Sequence, residues 1–434
     1  MNKFAGFRIL DFIKSTLNRY FYIFTVFKQT FYLYNALMSY STATELILNN
    51  LCIYPRTGTT LTEQLIDCYK QFNEEVVLKY YSRDSIIKQT LFISVANNSE
   101  YIQSKRKLLS CAKDFFIKIP PTSIIAQTPE HEMIVLELTI IEGLQANEII
   151  HRENNKSSWL VINRCGSKML IATGSCDNSE TDKILQQSTL AFSQIQDILM
   201  EEEMEFSNIV RQWNYIEQIT RNVTLEKSTS QHYQIFNDVR SKFFNQADFI
   251  NGYPAATGIG TDCGGITIDI IATGFGPGCS TSAIKSPVQL DAYSYSTEVL
   301  AENNTMSDFC RTSPKFERAK LLITPEYKWI FISGTAAIKG QVSVPVISAG
   351  LQTEMTIQNI MSLISIDNLQ KHGINANHKI VISHLRVYVK FRADIPEVKN
   401  ICLKYFPNIP TVYIIADICR PELLVEIEGL AVIN

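Results

Sequence analysis

Two glutamates stand on one short apolar stretch near the C-terminus, Val425-Glu426-Ile427-Glu428. Side chains of an extended strand alternate between faces, so Glu426 and Glu428 share one. A carboxyl on an apolar strand has its neutral form favoured by desolvation, which makes it a candidate general acid near neutral pH. The plainer alternative is an outward, solvated pair, although two carboxylates on one face make a purely apolar core face improbable. Cations that could receive carboxylates are Arg420 just upstream, Lys390 at the end of a strand-like run, and Arg240 on the helical stretch Phe236-Asn237-Asp238-Val239-Arg240. Arginine presents a planar fork that matches a carboxylate. Tyr293 and Tyr295 alternate with Ala292 and Ser294, so both can face one pocket wall. Each of these residues also has an ordinary reading as surface charge or strand packing.

Other chemistries find no footing. Ten cysteines are scattered without a CxxC pair, and six histidines form no HExxH or other ligand spacing, so neither metal nor disulfide scaffold is expected. Gly258, Gly260 and Gly264 miss the dinucleotide-binding GxGxxG pattern, because Cys263 stands where the last glycine belongs. Gly334 reads as a place where a ligand or neighbouring strand approaches closely.

The elements that must carry these residues occur twice. Residues 158–275 and 327–434 each open on strand-like segments: Trp159 to Ile162 and Met169 to Gly174 in one, Lys328 to Gly334 in the other. A helix follows with an apolar stripe, Phe192, Ile195 and Leu199 against Ile357, Ile360 and Ile364, preceded by Gln187 or Gln352. A strand comes next, Val210 to Ile216 or His384 to Lys390, then a helix ending in Phe243-Phe244 or Tyr405-Phe406. Pro254 or Pro410 and a closing β-branched strand complete each copy. The order is ββαβαβ, an α+β arrangement of mixed sheets with helices on one face.

With 434 residues the chain is long enough for two or three domains. Boundaries are expected at an N-terminal extension (1–40), an N-terminal region of less legible pattern (41–150), a first repeat unit with its connection (151–300) and a C-terminal unit (301–434). The net charge of −3 argues against a dedicated nucleic-acid binder. The aromatic N-terminus is interrupted by Lys14, Arg19 and Lys28 and lacks a signal-peptide core. A soluble, cytoplasmic protein without stable membrane insertion is expected.

The closing run Leu423 to Ala431 resembles the RidA/YjgF signature, and so does the unit order. Over residues 155–434 the motifs Pro254-Ala255-Ala256-Thr257-Gly258-Ile259-Gly260-Thr261, Ser333-Gly334-Thr335-Ala336 and Cys419-Arg420 before the closing strand resemble the chorismatase family, which fuses RidA-like units in one chain. The resemblance implies release of pyruvate from chorismate without cofactor or metal, with Glu426 as the acid. It implies substrate contacts from Arg420 and Arg240, from Gly334 and Thr335, and more weakly from Arg318 in Phe316-Glu317-Arg318-Ala319. RidA imine hydrolases carry an arginine after the proline that precedes the last strand. Here Ala255 and Thr411 take that place, so imine hydrolysis is not expected. Cys419, seven residues before Glu426, together with Gly334, is similar to the 3-hydroxybenzoate-forming members. The alternatives are a hydrolase yielding a dihydroxycyclohexadiene carboxylate, or a non-catalytic small-molecule binder. RidA proteins are trimers with sites between subunits, so fused units imply a monomer that supplies such an interface internally.

Overall fold

The computed structural model describes residues 46–77, 83–154, 157–164, 166–181, 183–225, 228–296, 312–345, 348–374 and 379–433. The extension expected over 1–40, residues 297–311 of the connection, and Cys165, Cys310 and His378 lie outside them.

The strand-rich N-terminal region folds into a four-stranded sheet of β1 (Ile47–Ile53), β2 (Ile86–Ile93), β3 (Thr122–Ile125) and β4 (Ile134–Glu142), in the order β1-β4-β2-β3. Two helices, α1 (Leu61–Gln71) and α2 (Asn98–Phe115), cross between its strands. Both start where the sequence offers a cap: Thr60 forms a capping box with Glu63, and Asn97 accepts from the Glu100 amide.

The second sheet contains β5 (Ile149–Glu153), β6 (Ser158–Arg164), β7 (Ser167–Cys176), β8 (Ile209–Glu217), β11 (Ala255–Thr261) and β12 (Ile266–Gly274). A hairpin of β9 (Asn222–Leu225) and β10 (Ser228–Gln231) stands apart from it. The sheet order is β11-β8-β12-β7-β6-β5, with helices α3 (Ile184–Glu201) and α4 (His232–Phe244). The third sheet is β13-β14-β15-β20-β18-β19, made by β13 (Ser280–Ile284), β14 (Ala319–Ile323), β15 (Lys328–Ala336), β18 (Ile380–Val389), β19 (Thr411–Ile415) and β20 (Val425–Ile433). Its helices are α5 (Ala349–Leu363), α6 (Ile366–Lys371) and α7 (Ile395–Tyr405), and β16 (Ile338–Lys339) pairs with β17 (Val342–Ser343) beside it. Part of the expected connection, β13, is thus a strand of this sheet.

All three sheets share one core plan. The closing strand lies antiparallel between the opening and second strands, and the second and third strands are parallel. The α+β arrangement of mixed sheets with helices on one face is what the chain adopts, with a further strand, β11 or β19, before the closing strand of each unit expected as ββαβαβ, and the less legible region supplies a third copy of the plan. The stripe residues Phe192, Ile195, Leu199, Ile357, Ile360 and Ile364 are all buried where their helices meet the sheets.

A one-residue irregularity falls at the same place in each second strand, at Ile87, Val210 and Ser383. Alignment on it makes Lys88, Arg211 and His384 equivalent, and likewise Thr90, Trp213 and Arg386. On the closing strands Glu137, Asp269 and Glu428 then correspond, as do Val135, Thr267 and Glu426. Asp269 is thus the counterpart of Glu428, not of Glu426.

The faces away from the helices meet in shared apolar layers drawn from all three sheets, one around Ile87, Ile271 and Trp329, another around Phe92, Tyr215 and Tyr388. Lodged with these layers are buried ion pairs that close a ring. Lys88 of the first unit meets Asp269 of the second at 2.8 Å, and Arg211 of the second meets Glu428 of the third at 2.6 Å. Arg386 and His384 of the third meet Glu137 of the first, His384 at 3.1 Å. Each acid thus takes a base from the preceding unit, a head-to-tail pseudo-threefold arrangement. Such pairs add little net stability but lock register, because a partner left alone would be a buried, uncompensated charge.

Candidate active site

Glu426 and Glu428 lie in β20 on the face turned towards the second unit, as alternation requires, and their surroundings are opposite. Glu428 receives Arg211, Thr257, Trp213 Nε1 at 2.8 Å, Arg386 Nη1 at 3.2 Å and the Tyr388 hydroxyl at 3.2 Å. Among the described residues no hydrogen-bond donor reaches the Glu426 carboxyl, which is only 5% exposed. Burial, then the charge of Glu428, push its pKa up to about 8 against the pull of Arg211 and Arg318. Glu426 therefore holds its proton at neutral pH while sitting beside a cationic neighbourhood.

Gly334 makes the room for that carboxyl. A Cβ on Gly334 would collide with Glu426 Oε1 and stand 3.1 Å from Thr257 Cγ2. The Thr257 hydroxyl accepts from the Gly334 amide at 3.0 Å and from Arg211 at 2.7 Å while donating to Glu428. Thr257 begins the Thr257-Gly258-Ile259-Gly260 run of β11, where close approach has a visible cause. A Cβ on Gly258 would lie 2.9 Å from the Tyr233 ring, and Gly260 donates its amide to Asp417 O at 2.8 Å.

The loop from Ala416 to Leu424 carries Arg420 and brings Cys419 close to the acid. It is fastened by Gly260, by Gln352 Nε2 on Glu422 O at 3.0 Å, by the Leu424 amide on Gln352 Oε1 at 2.8 Å, and by Lys390 Nζ on Pro421 O at 2.7 Å. Gln352, expected before the repeat helix, lies in the first turn of α5 and holds this loop. Lys390, expected to bind substrate, is likewise committed to this loop, with Asp417 at 3.7 Å, and does not reach the acid. Burial, with Glu426 next, pushes the Cys419 thiol up to about 12. It is a thiol, not a thiolate, at neutral pH.

Arg318 and Arg420 converge on Tyr295, with their Cζ atoms 5.6 and 5.4 Å from its ring centre. Arg318 is anchored on Leu290 O at 3.1 Å through Nε and also bonds the Tyr295 hydroxyl. Arg420 Nη1 donates to Gln341 O at 2.9 Å and Ser343 Oγ at 3.0 Å. Arg240 is almost fully buried on α4; it bonds Asn237, and its Nε–H finds no acceptor among the described residues.

Two expected contacts point elsewhere. Tyr293 and Tyr295 do not alternate on a strand, because residues Ala292–Ser294 form a single 3-10 turn. Tyr293 instead bonds Asp291 at 3.0 Å and packs on Tyr253 at 5.3 Å. Thr335 points to the opposite side of β15 from Ala336, the partner of Glu426, and spends its hydroxyl on Ser333 O at 2.9 Å. Tyr233 was missed by the sequence reading. It touches Gly258, shares a hydrogen bond with Arg240, and feels the charges of Cys419 and Glu426, with burial holding its phenol well above the usual range. Its place at the start of α4, three residues before the apolar stripe, carried no distinguishing signal. Cys52, Glu137 and His384 also cluster, but Glu137 Oε2 already accepts from Arg386 Nε at 2.9 Å and meets His384, which makes the group part of the ion-pair ring.

The fold and site describe three fused α+β units with a buried acid that no donor reaches where the second and third units meet. The relatives agree in kind. Residues 151–272 match the family model described as "Chorismatase FkbO/Hyg5-like, N-terminal". A 3-hydroxybenzoate synthase of Streptomyces hygroscopicus is 33% identical over 236 residues, covering 53% of this chain and 65% of that protein. A chorismatase of the same organism is 32% identical over 225 residues, covering 51% of this chain and 61% of its own length. The matched stretch thus spans just under two thirds of these curated relatives. A crystal structure of a chorismatase superposes with a TM-score of 0.64 at 21% identity, covering 90% of this chain and 99% of that one, a likeness of fold. The chorismatase resemblance read from the motifs is met in both sequence and fold. No helix among the described residues is long and apolar enough to cross a membrane.

Proposed function

We propose that the protein converts chorismate to 3-hydroxybenzoate and pyruvate, with Glu426 as the acid that protonates the enol ether. The observation that carries this is the contrast on β20: a saturated Glu428 beside a buried Glu426 that no donor reaches and whose pKa stands near 8. An enol ether becomes labile when its terminal methylene carbon takes a proton, because the resulting oxocarbenium ion is open to attack. The acid must therefore arrive protonated at neutral pH, as Glu426 does. Two ligand carboxylates need fixed cations, and the candidates are Arg318, whose charge acts on Glu426, Arg420, which shares the Tyr295 ring with Arg318, and Arg240, whose Nε–H is unsatisfied among the described residues. The Tyr295 ring lies against two of these guanidinium groups, and its hydroxyl bonds Arg318.

The product follows from what reaches the oxocarbenium carbon. Attack by the substrate's own ring hydroxyl gives a cyclic ketal. Breaking that hydroxyl's ring C–O bond with loss of the proton from the adjacent ring carbon aromatises the ring, and the hemiketal left on the other oxygen collapses to pyruvate and 3-hydroxybenzoate with no water consumed. Attack by water gives the dihydroxycyclohexadiene carboxylate and pyruvate. The likeness to a 3-hydroxybenzoate synthase, and the pairing of Cys419 with Gly334, favour the first. Cys419, protonated and next to Glu426, is suited to relay a proton during aromatisation rather than to act as a nucleophile. We place the protein in the cytoplasm as a monomer, because the eight described cysteines are free and the three-unit ring closes within one chain. Light scattering that shows a stable trimer counts against the monomer.

Incubation with chorismate followed by chromatography tests the reading. Pyruvate and 3-hydroxybenzoate in equal amounts are expected. Pyruvate with chiefly the diene diol would keep the acid and reject the product assignment. No pyruvate above the uncatalysed rate would leave a small-molecule binder.

A further inference from the structure

Resting on the assignment of Glu426 as the acid, we propose that Glu428 is the positioning residue of the site: a carboxylate clamped between units that keeps the proton on Glu426. Three observations converge. The two carboxyls share one face of β20, two residues apart. Glu428 is 2% exposed and is gripped from the neighbouring strand β18, by Arg386 and Tyr388, and from the second unit, by Arg211, Trp213 and Thr257. The Thr257 hydroxyl ties that clamp to the Gly334 amide, the residue whose missing side chain leaves space for the Glu426 carboxyl.

The clamp makes Glu428 a fixed negative charge, and a like charge nearby disfavours ionisation of a carboxyl. The groups that bear on Glu426 come from every element around it: Glu428 on its own strand, Arg211 from β8, Arg318 at the start of β14, Cys419 from the loop and Tyr233 from α4. Arg211 and Glu428 act with opposite sign on Glu426, so removing one or the other should move its titration in opposite directions. A purely structural role predicts no such antisymmetry. The equivalent acids Asp269 and Glu137 have no second carboxyl beside them on the closing strand, because Thr267 and Val135 stand in the place of Glu426.

The test reads the proton directly. Difference infrared spectroscopy follows the band of buried protonated carboxyl that is lost in Glu426→Gln, which removes contributions from other buried acids. In the wild type this band should disappear as pH rises through about 8. In Glu428→Gln it should disappear at lower pH, by about one unit or more, and in Arg211→Gln at higher pH. An unchanged midpoint in Glu428→Gln, or shifts of the same sign in both variants, overturns the proposal. If Glu428→Gln does not fold, Arg211→Gln decides alone, and a midpoint that stays or falls is the overturning result. Pyruvate release from chorismate is measured on the same samples. Opposite infrared shifts without any pyruvate would leave the clamp standing and reject the chorismate reading.

Discussion

At the seam between the second and third units, Glu426 stands with Thr257 and Gly258. Between the first and second units the same three positions hold Thr267, Ser123 and Ile124. Between the third and first they hold Val135, Val412 and Tyr413. The framework is common to all three: an acid two residues along the closing strand, paired across the seam with a base from the preceding unit. At the first seam even the small hydroxyl survives, since Ser123 donates to Asp269 and accepts from Lys88 at 2.8 Å, as Thr257 serves Glu428 and Arg211. What differs is the neighbouring pair of positions. Acid and glycine become threonine and isoleucine, or valine and tyrosine. Fusion explains how this could happen: three copies of one chain must carry the same residues at every seam, whereas fused units can change one seam while the others are packed for stability. The comparison separates two jobs. The ion-pair ring holds the units together, and one seam has been opened beside it for an acid.

The largest expected effect comes from breaking the ring at the seam between the third and first units, through Arg386, which also reaches Glu428. Arg386→Met leaves Glu137 buried beside His384 with its main partner gone, and stability should fall by about 3–5 kcal/mol in denaturant unfolding. A loss under about 1 kcal/mol would show that the seams are held by their apolar layers alone. At the open seam, Glu426→Gln should lower pyruvate release by at least about 100-fold while the protein stays folded. The same variant should behave in the opposite way for stability. A carboxyl whose pKa is raised on folding is favourable below its unfolded value and loses that advantage as pH rises towards the folded value. Glu426→Gln should therefore gain stability relative to the wild type as pH rises from 5 to about 8. Near-normal turnover would remove Glu426 from the acid role.

Smaller changes sharpen the contrast. Gly334→Ala drives a methyl into the Glu426 carboxyl and should cost about 10-fold or more in rate, since a displacement near 1 Å is enough for such losses. An unchanged rate and product ratio would mean that the carboxyl does not rest against Gly334 during turnover. Cys419→Ala should change the rate least and should shift products towards the diene diol, as read by chromatography. An unaltered ratio would reduce Cys419 to a space-filler.

Much of this was visible in the chain. The second and third units show their helices as apolar stripes and their closing strands as β-branched runs, because burial of one face imposes period on the residues. Glu426 and Glu428 could be placed on one face by alternation alone. The first unit hid itself for a physical reason: β2 is buried along its whole length, so it shows no alternation, and Lys88-Gln89-Thr90 interrupts its apolar run. The dipeptides Lys88-Gln89 and Arg211-Gln212 at matching places were the signal that could have revealed the third copy. The different fates of Glu426 and Glu428 were not legible, because the donors that saturate Glu428 come from residues up to 217 positions away. Tyr293 and Lys390 misled for the same reason. Their types suited a ligand, but a local 3-10 turn and a loop carbonyl claimed them.

The pH dependence of pyruvate release from chorismate under saturating substrate tests the central claim most directly. If the unsatisfied carboxyl at the open seam is the acid, the rate should stay level through neutral pH and fall about tenfold per unit once pH passes about 8, with that limb absent in the residual activity of Glu426→Gln. A rate that already falls through the ordinary carboxyl range, near 4–5, would show that Glu426 is not held protonated and would contradict the account.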